Sequence, residues 1–185
     1  MMRTDYLEKL TALLRAEKWD AMLLCPSEEL RFFAGFSPLM CERFQGLFLK
    51  QDGRMFYFCN LLTGEEVRAA APDAFPVYTW FDNDIMTEEI CRIFEKEGLT
   101  GGRIAVNSTA QAFNILDIAV ATGTRFENGV PLLEQARICK TQQELDCLRR
   151  AAAIADQGFL HTLPHIRPGM TEGEIHDILV QEMEA

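Results

Sequence analysis

The chain has 185 residues, of which 48% are apolar and 25% charged. That is enough apolar surface to offset chain entropy, so disorder is excluded as the main state. Lys and Arg number 18 against 28 Asp and Glu, leaving a net charge of −10, which argues against a general nucleic-acid binder because that needs a basic face.

The length predicts about one domain, or one and a piece of another. No apolar run reaches the roughly 18 residues of a membrane span. The opening MMRTDYLEKL has no apolar stretch of the kind a secretory signal carries. The expectation is a cytoplasmic protein with neither membrane nor nucleic acid as partner. Six cysteines are present, none in C-x-x-C spacing. Cys25 in AMLLC and Cys59 in FYFC lie inside apolar runs and read as reduced, structural thiols.

In chain order, residues 5–18 predict an amphipathic helix with Leu7, Leu10, Leu13 and Leu14 on one stripe and Thr4 as its cap. AMLLC suits a buried strand stopped by Pro26. Ser27 caps a short helical turn that Gly35 ends. Residues 44–50 and 54–59 read as paired strands around Asp52-Gly53, a strong hairpin signal. A helix over 62–71, a strand over 76–81 and a helix over 84–97 closed by Gly98 follow. Residues 103–106 predict a strand, Ser108 caps a helix running to about Thr122, residues 124–127 form a short strand, and Pro131 starts a helical turn. A hairpin followed by alternating strands and helices predicts an α/β fold. Its sheet should be mixed and about six-stranded, with helices on both faces.

The pattern changes near Arg137. Residues 141–163 form one long helical repeat, opened by the capping box Thr141-x-x-Glu144. Pro164 and Pro168 bracket a break. A second box, Thr171-x-x-Glu174, opens a helix that runs to Ala185. The expected division is residues 1–136 for the sheet domain and 137–185 for a linker and the first helices of another.

Few residues suggest chemistry on their own. His161 and His165 have metal-ligand spacing on a helix, but Pro164 between them should break the turn, so solvated or interface histidines fit better. Glu28-Glu29, Glu65-Glu66 and Glu88-Glu89 are sequence neighbours that point apart on a helix and read as solvated faces. No phosphate-binding glycine loop or nucleophile motif is present. The residues alone describe an α/β domain without a complete active site.

The junction adds a family. Arg137, Lys140, Thr141 and Glu144, then the Ala-rich stretch 151–155, then Pro168-Gly169-Met170-Thr171-Glu172 occur in one order. Together they resemble the domain junction of the Xaa-Pro peptidase and creatinase family (prolidase and aminopeptidase P among its members). Upstream, Phe33, Gly35 and Phe36 are similar to the end of a family motif after the first strand. Asn60-Leu61-Leu62-Thr63 departs from the family, which has Asp-x-Arg-Tyr there.

The resemblance implies a ribonuclease-H-like creatinase/prolidase N-terminal domain, followed by two helices of a truncated pita-bread catalytic domain. It implies that the parent is a metallopeptidase, an Xaa-Pro dipeptidase or aminopeptidase that cleaves the bond before proline in short proline-containing peptides. Two divalent, manganese-like ions would be held beyond Glu172. This chain would then carry no metal ligand, cofactor or catalytic residue and be inactive alone. It further implies a homodimer in which this domain narrows the active-site mouth. Arg43 resembles a family Arg near that rim and is the substrate-binding candidate, with a surface ion-pair partner as the other reading. The alternatives are a creatinase-like metal-independent hydrolase and an inactive, protein-binding relative.

Overall fold

The structure, a computed structural model, describes residues 2–184. Six strands form a single sheet: β1 (Ala21–Leu24), β2 (Gly46–Lys50), β3 (Met55–Asn60), β4 (Val77–Trp80), β5 (Arg103–Val106) and β6 (Arg125–Asn128). Their spatial order is β4-β3-β2-β1-β5-β6. β2 is antiparallel to both β1 and β3, and the other pairings are parallel. So β2 alone runs against the rest, and five strands end on one edge.

Local chemistry explains the elements. β1 is buried along its whole length, as expected for a central strand covered on both faces. The β2–β3 hairpin turns through Gly53, whose φ of 89° is cheap only for glycine, while the Asp52 carboxylate accepts the Arg54 N–H at 2.9 Å. Side chains alternate across the pleat. Leu47, Leu49, Tyr57 and Cys59 enter one core, whereas Phe48, Phe56 and Phe58 enter the other.

Helices cover both faces. On the first lie α1 (Thr4–Ala16), α2 (Glu28–Ala34), α3 (Leu61–Ala70) and α6 (Val130–Arg137), which contribute Leu10, Leu30, Val67 and Leu133. On the second lie α4 (Met86–Glu97) and α5 (Ala112–Thr122), with Ile90, Phe94 and Ile118. Phe48 stacks on Phe56 at 4.7 Å between ring centres and meets Phe94 edge-on at 5.3 Å. The mixed α/β sheet expected from the sequence is therefore present.

Two caps differ from expectation. Thr4 lies inside α1, whose N-cap is Arg3. α5 begins only at Ala112, with Gln111 rather than Ser108 as N-cap. The reason is Asn107, whose amide bonds the Thr109 hydroxyl at 2.9 Å and holds that stretch in a turn.

The chain divides into two compact units between Ile138 and Cys139. The second contains α7 (Gln142–Thr162), a 3₁₀ turn (Leu163–His165) and α8 (Glu172–Glu184). Both capping boxes form: Glu144 N–H donates to the Thr141 hydroxyl at 3.2 Å, and Glu174 N–H to that of Thr171 at 3.3 Å. α7 and α8 pack closely at Gly158, where an added Cβ would lie 2.5 Å from Met183 Cγ. Among the described residues, no helix is long and apolar enough to cross a membrane.

Candidate functional site at the carboxyl edge of the sheet

In open α/β sheets, ligands gather at the carboxyl ends of parallel strands. Here that edge carries Cys25 after β1, Asn60 ending β3, Asp82 after β4 and Asn107 after β5. Because β2 is reversed, it starts at this edge, so the connection 35–45 runs along it.

Side-chain amides pin the edge together. The Asn107 side chain accepts the Cys25 N–H at 3.0 Å and donates to the Cys25 carbonyl at 3.2 Å and the Ser27 hydroxyl at 2.9 Å. This ties the ends of β1 and β5. Gln45 is buried; it donates to the Leu39 carbonyl at 3.0 Å and accepts from the Tyr57 hydroxyl at 3.3 Å. Gln111 donates to the Cys41 carbonyl at 3.0 Å. The connection is thus held at several points, as the buried polar groups of an ordered loop require.

Arg43, the candidate from the sequence, lies on this connection. Its Nε and Nη2 donate to the two Asp82 oxygens at 2.8 and 3.0 Å, a bidentate pair. Its Nη1 donates to Glu42 at 2.6 Å. The side chain keeps 32% of its exposure. Asp82 also accepts the Asn60 amide at 2.9 Å. The Arg43 guanidinium holds the Asp82 carboxyl below its ordinary range, with a smaller contribution from Asn60, while Asp82 raises Arg43 further.

Burial pushes the Cys25 thiol up to about 12, which leaves it unreactive at neutral pH. The crevice bounded by Cys25, Met40, Arg43 and Gln111 holds about 10 Å³, room for roughly one water rather than a peptide. Leu39 and Met40, on the same connection, are exposed.

The histidines belong to the helical unit. His161 faces Glu182 at 3.3 Å, and His176 faces Asp177 at 3.2 Å. Among the described residues, no three His, Cys, Asp or Glu side chains gather as a metal site, so the two-ion group of the resemblance does not fit these residues. Asp82, Asn107 and Gln111 were not singled out from the sequence, and Asn60 only as the start of a departure from the family pattern. The available signal was a polar residue at or just past the end of a strand in an alternating α/β order, as in FCN, VN and WFD.

Fold and edge together define an α/β sheet domain that places side chains at a rim. The family model for the creatinase/prolidase N-terminal domain matches residues 7–139, and the chain belongs to that family. It is similar to YkvY of Bacillus subtilis, a protein named as a dipeptidase (23% identical, 91% of this chain and 47% of that protein). Among solved structures it resembles a dipeptidase from Pyrococcus horikoshii OT3, with a TM-score of 0.78, 26% identity and 96% of this chain against 50% of that one. An Xaa-Pro dipeptidase from Bacillus anthracis shares the fold, with a TM-score of 0.71, 22% identity and 98% of this chain against 48% of that one. The chain spans about half the length of the relatives it matches.

Proposed function

We propose that these residues are the N-terminal, non-catalytic portion of a metal-dependent Xaa-Pro dipeptidase or aminopeptidase. The match of residues 7–139 to the creatinase/prolidase N-terminal domain carries this reading. The likeness to proteins named as dipeptidases supports it. The bond before proline is a tertiary amide with no N–H and restricted geometry, so it calls for a dedicated site. In this reading the ligands of the two divalent ions lie outside these residues. The carboxyl edge of the sheet forms part of the substrate mouth, in a cytoplasmic homodimer. Arg43 faces the substrate there: three of its N–H groups are spent on Asp82 and Glu42, and an arginine has five, so two remain for a peptide acceptor.

The test is hydrolysis of an Xaa-Pro dipeptide by the full-length parent. Activity that chelation removes and manganese restores is the expected result. No hydrolysis overturns the reading, and hydrolysis indifferent to chelation moves it to a creatinase-like, metal-independent hydrolase.

A further inference from the structure

Asn60 makes two bonds in opposite directions. Its side-chain oxygen accepts the Leu62 N–H at 3.1 Å and so caps α3. Its amide nitrogen donates to Asp82 at 2.9 Å. The residue is 2% exposed, so water cannot substitute for either partner. Asp82 sits just beyond β4, in a turn closed by the Phe81 N–H on the Asp84 carboxylate at 2.7 Å and the Asp84 N–H on the Phe81 carbonyl at 2.9 Å. One Asp82 oxygen takes both the Asn60 amide and Arg43 Nε, and the other takes Arg43 Nη2. Three segments far apart in sequence are thereby locked in one line: Asn60, then Asp82, then Arg43.

The geometry points to Asn60 as a positioning residue: it fixes the Asp82 carboxylate, which in turn aims the Arg43 guanidinium at the rim. The amide does both at once on two separate atoms: its oxygen accepts from α3 and its nitrogen donates to the carboxylate. An aspartate at 60 would still cap α3 but would face Asp82 as a like charge. The lock itself stands on this chain's geometry, and its role toward a substrate rests on the peptidase reading.

Asn60→Asp separates the two jobs, because it keeps the cap and removes the donor. The first readout is the Arg43 Nε–H resonance in the proton–nitrogen NMR spectrum of this chain, identified by its loss in Arg43→Lys. In the native chain it should exchange slowly at neutral pH. In Asn60→Asp the exchange should speed up by about tenfold or more, the ratio expected when a hydrogen bond to a charged group is weakened. Far-UV circular dichroism checks that the variant is folded. If it is not, Asp82→Asn leaves the α3 cap untouched and should release the same resonance. Unchanged protection of Arg43 in a folded variant overturns the inference.

The second readout is steady-state hydrolysis by the full-length parent. Asn60→Asp and Arg43→Lys should raise KM for an Xaa-Pro dipeptide by similar factors and leave kcat alone, the signature of lost uniform binding. Released Arg43 with unchanged KM in both variants overturns the substrate role of Arg43 and leaves the lock standing. No activity in the parent overturns the peptidase reading itself, which the first readout does not share.

Discussion

The sheet unit and the helical unit use the same capping chemistry with different results. Ser27 caps α2 in the first, and Thr141 caps α7 in the second. In the sheet unit the helices then bury Leu30, Phe33, Ile90 and Phe94 completely. In the helical unit the buried residues of α7 are Gly158 and Thr162, while Leu148 and Phe159 stay exposed. A cap starts a helix, but burial of its apolar face supplies most of its stability. The sheet unit has an interior of its own, whereas the helical unit has two well-started helices that pack closely at Gly158 and leave most of their apolar side chains exposed.

This contrast can be broken most directly in the core. Phe48→Ala should cost about 3–5 kcal/mol, because a ring held between Phe56 and Phe94 leaves a cavity. Phe159→Ala, on an exposed helix face, should stay within about 0.5 kcal/mol. Urea unfolding checks both, read for the sheet unit by the fluorescence of Trp19 and Trp80 and for the helical unit by helical circular dichroism. Equal effects would dissolve the contrast.

Gly158→Val tests the close approach of α7 and α8 in the helical unit. The new side chain collides with Met183, a strain of about 1–3 kcal/mol. Helical circular dichroism should fall while the tryptophan midpoint holds. The caps give a finer comparison. Ser27→Ala and Thr141→Ala should each cost about 1 kcal/mol of helix, but only Ser27→Ala should move the tryptophan midpoint.

The thiols divide along the same line. Burial raises Cys25 and Cys59 to about 12, while Cys139 and Cys147 are exposed. An alkylating reagent near pH 8 should modify Cys139 and Cys147 quickly and spare Cys25 and Cys59 until unfolding. Because folding raises these two buried thiols, it keeps them neutral where the unfolded thiols ionise. Stability should therefore decline as pH rises from about 9 toward 12.

The smallest effect expected is at the rim. Folding lowers Asp82, so its contribution is present above the ordinary Asp range near pH ~3.9 and is lost as pH falls below it. The Arg43 Nε–H should lose protection in that window.

The fold was legible because its signals are local: AMLLC for the central strand, Asp52-Gly53 for the hairpin, Gly35 and Gly98 for helix ends, and the two Thr-x-x-Glu boxes. The rim was legible at Arg43 alone, and there through resemblance rather than pattern. Asn60, Asp82 and Asn107 act through bonds spanning 22, 39 and 82 residues, and no local periodicity encodes such pairings. The Asn60 departure was visible in the sequence, but its bond to Asp82 was not.

Native-state hydrogen exchange on the 185-residue chain tests the contrast most directly. The amides of Leu23, Phe48, Phe58 and Ile104, in strands β1, β2, β3 and β5, should exchange only through global unfolding of the sheet unit. Those of α7 and α8 should exchange orders of magnitude faster, through local opening. Equal protection in the two units would contradict the account and would mean that the helical unit shares the stability of the sheet.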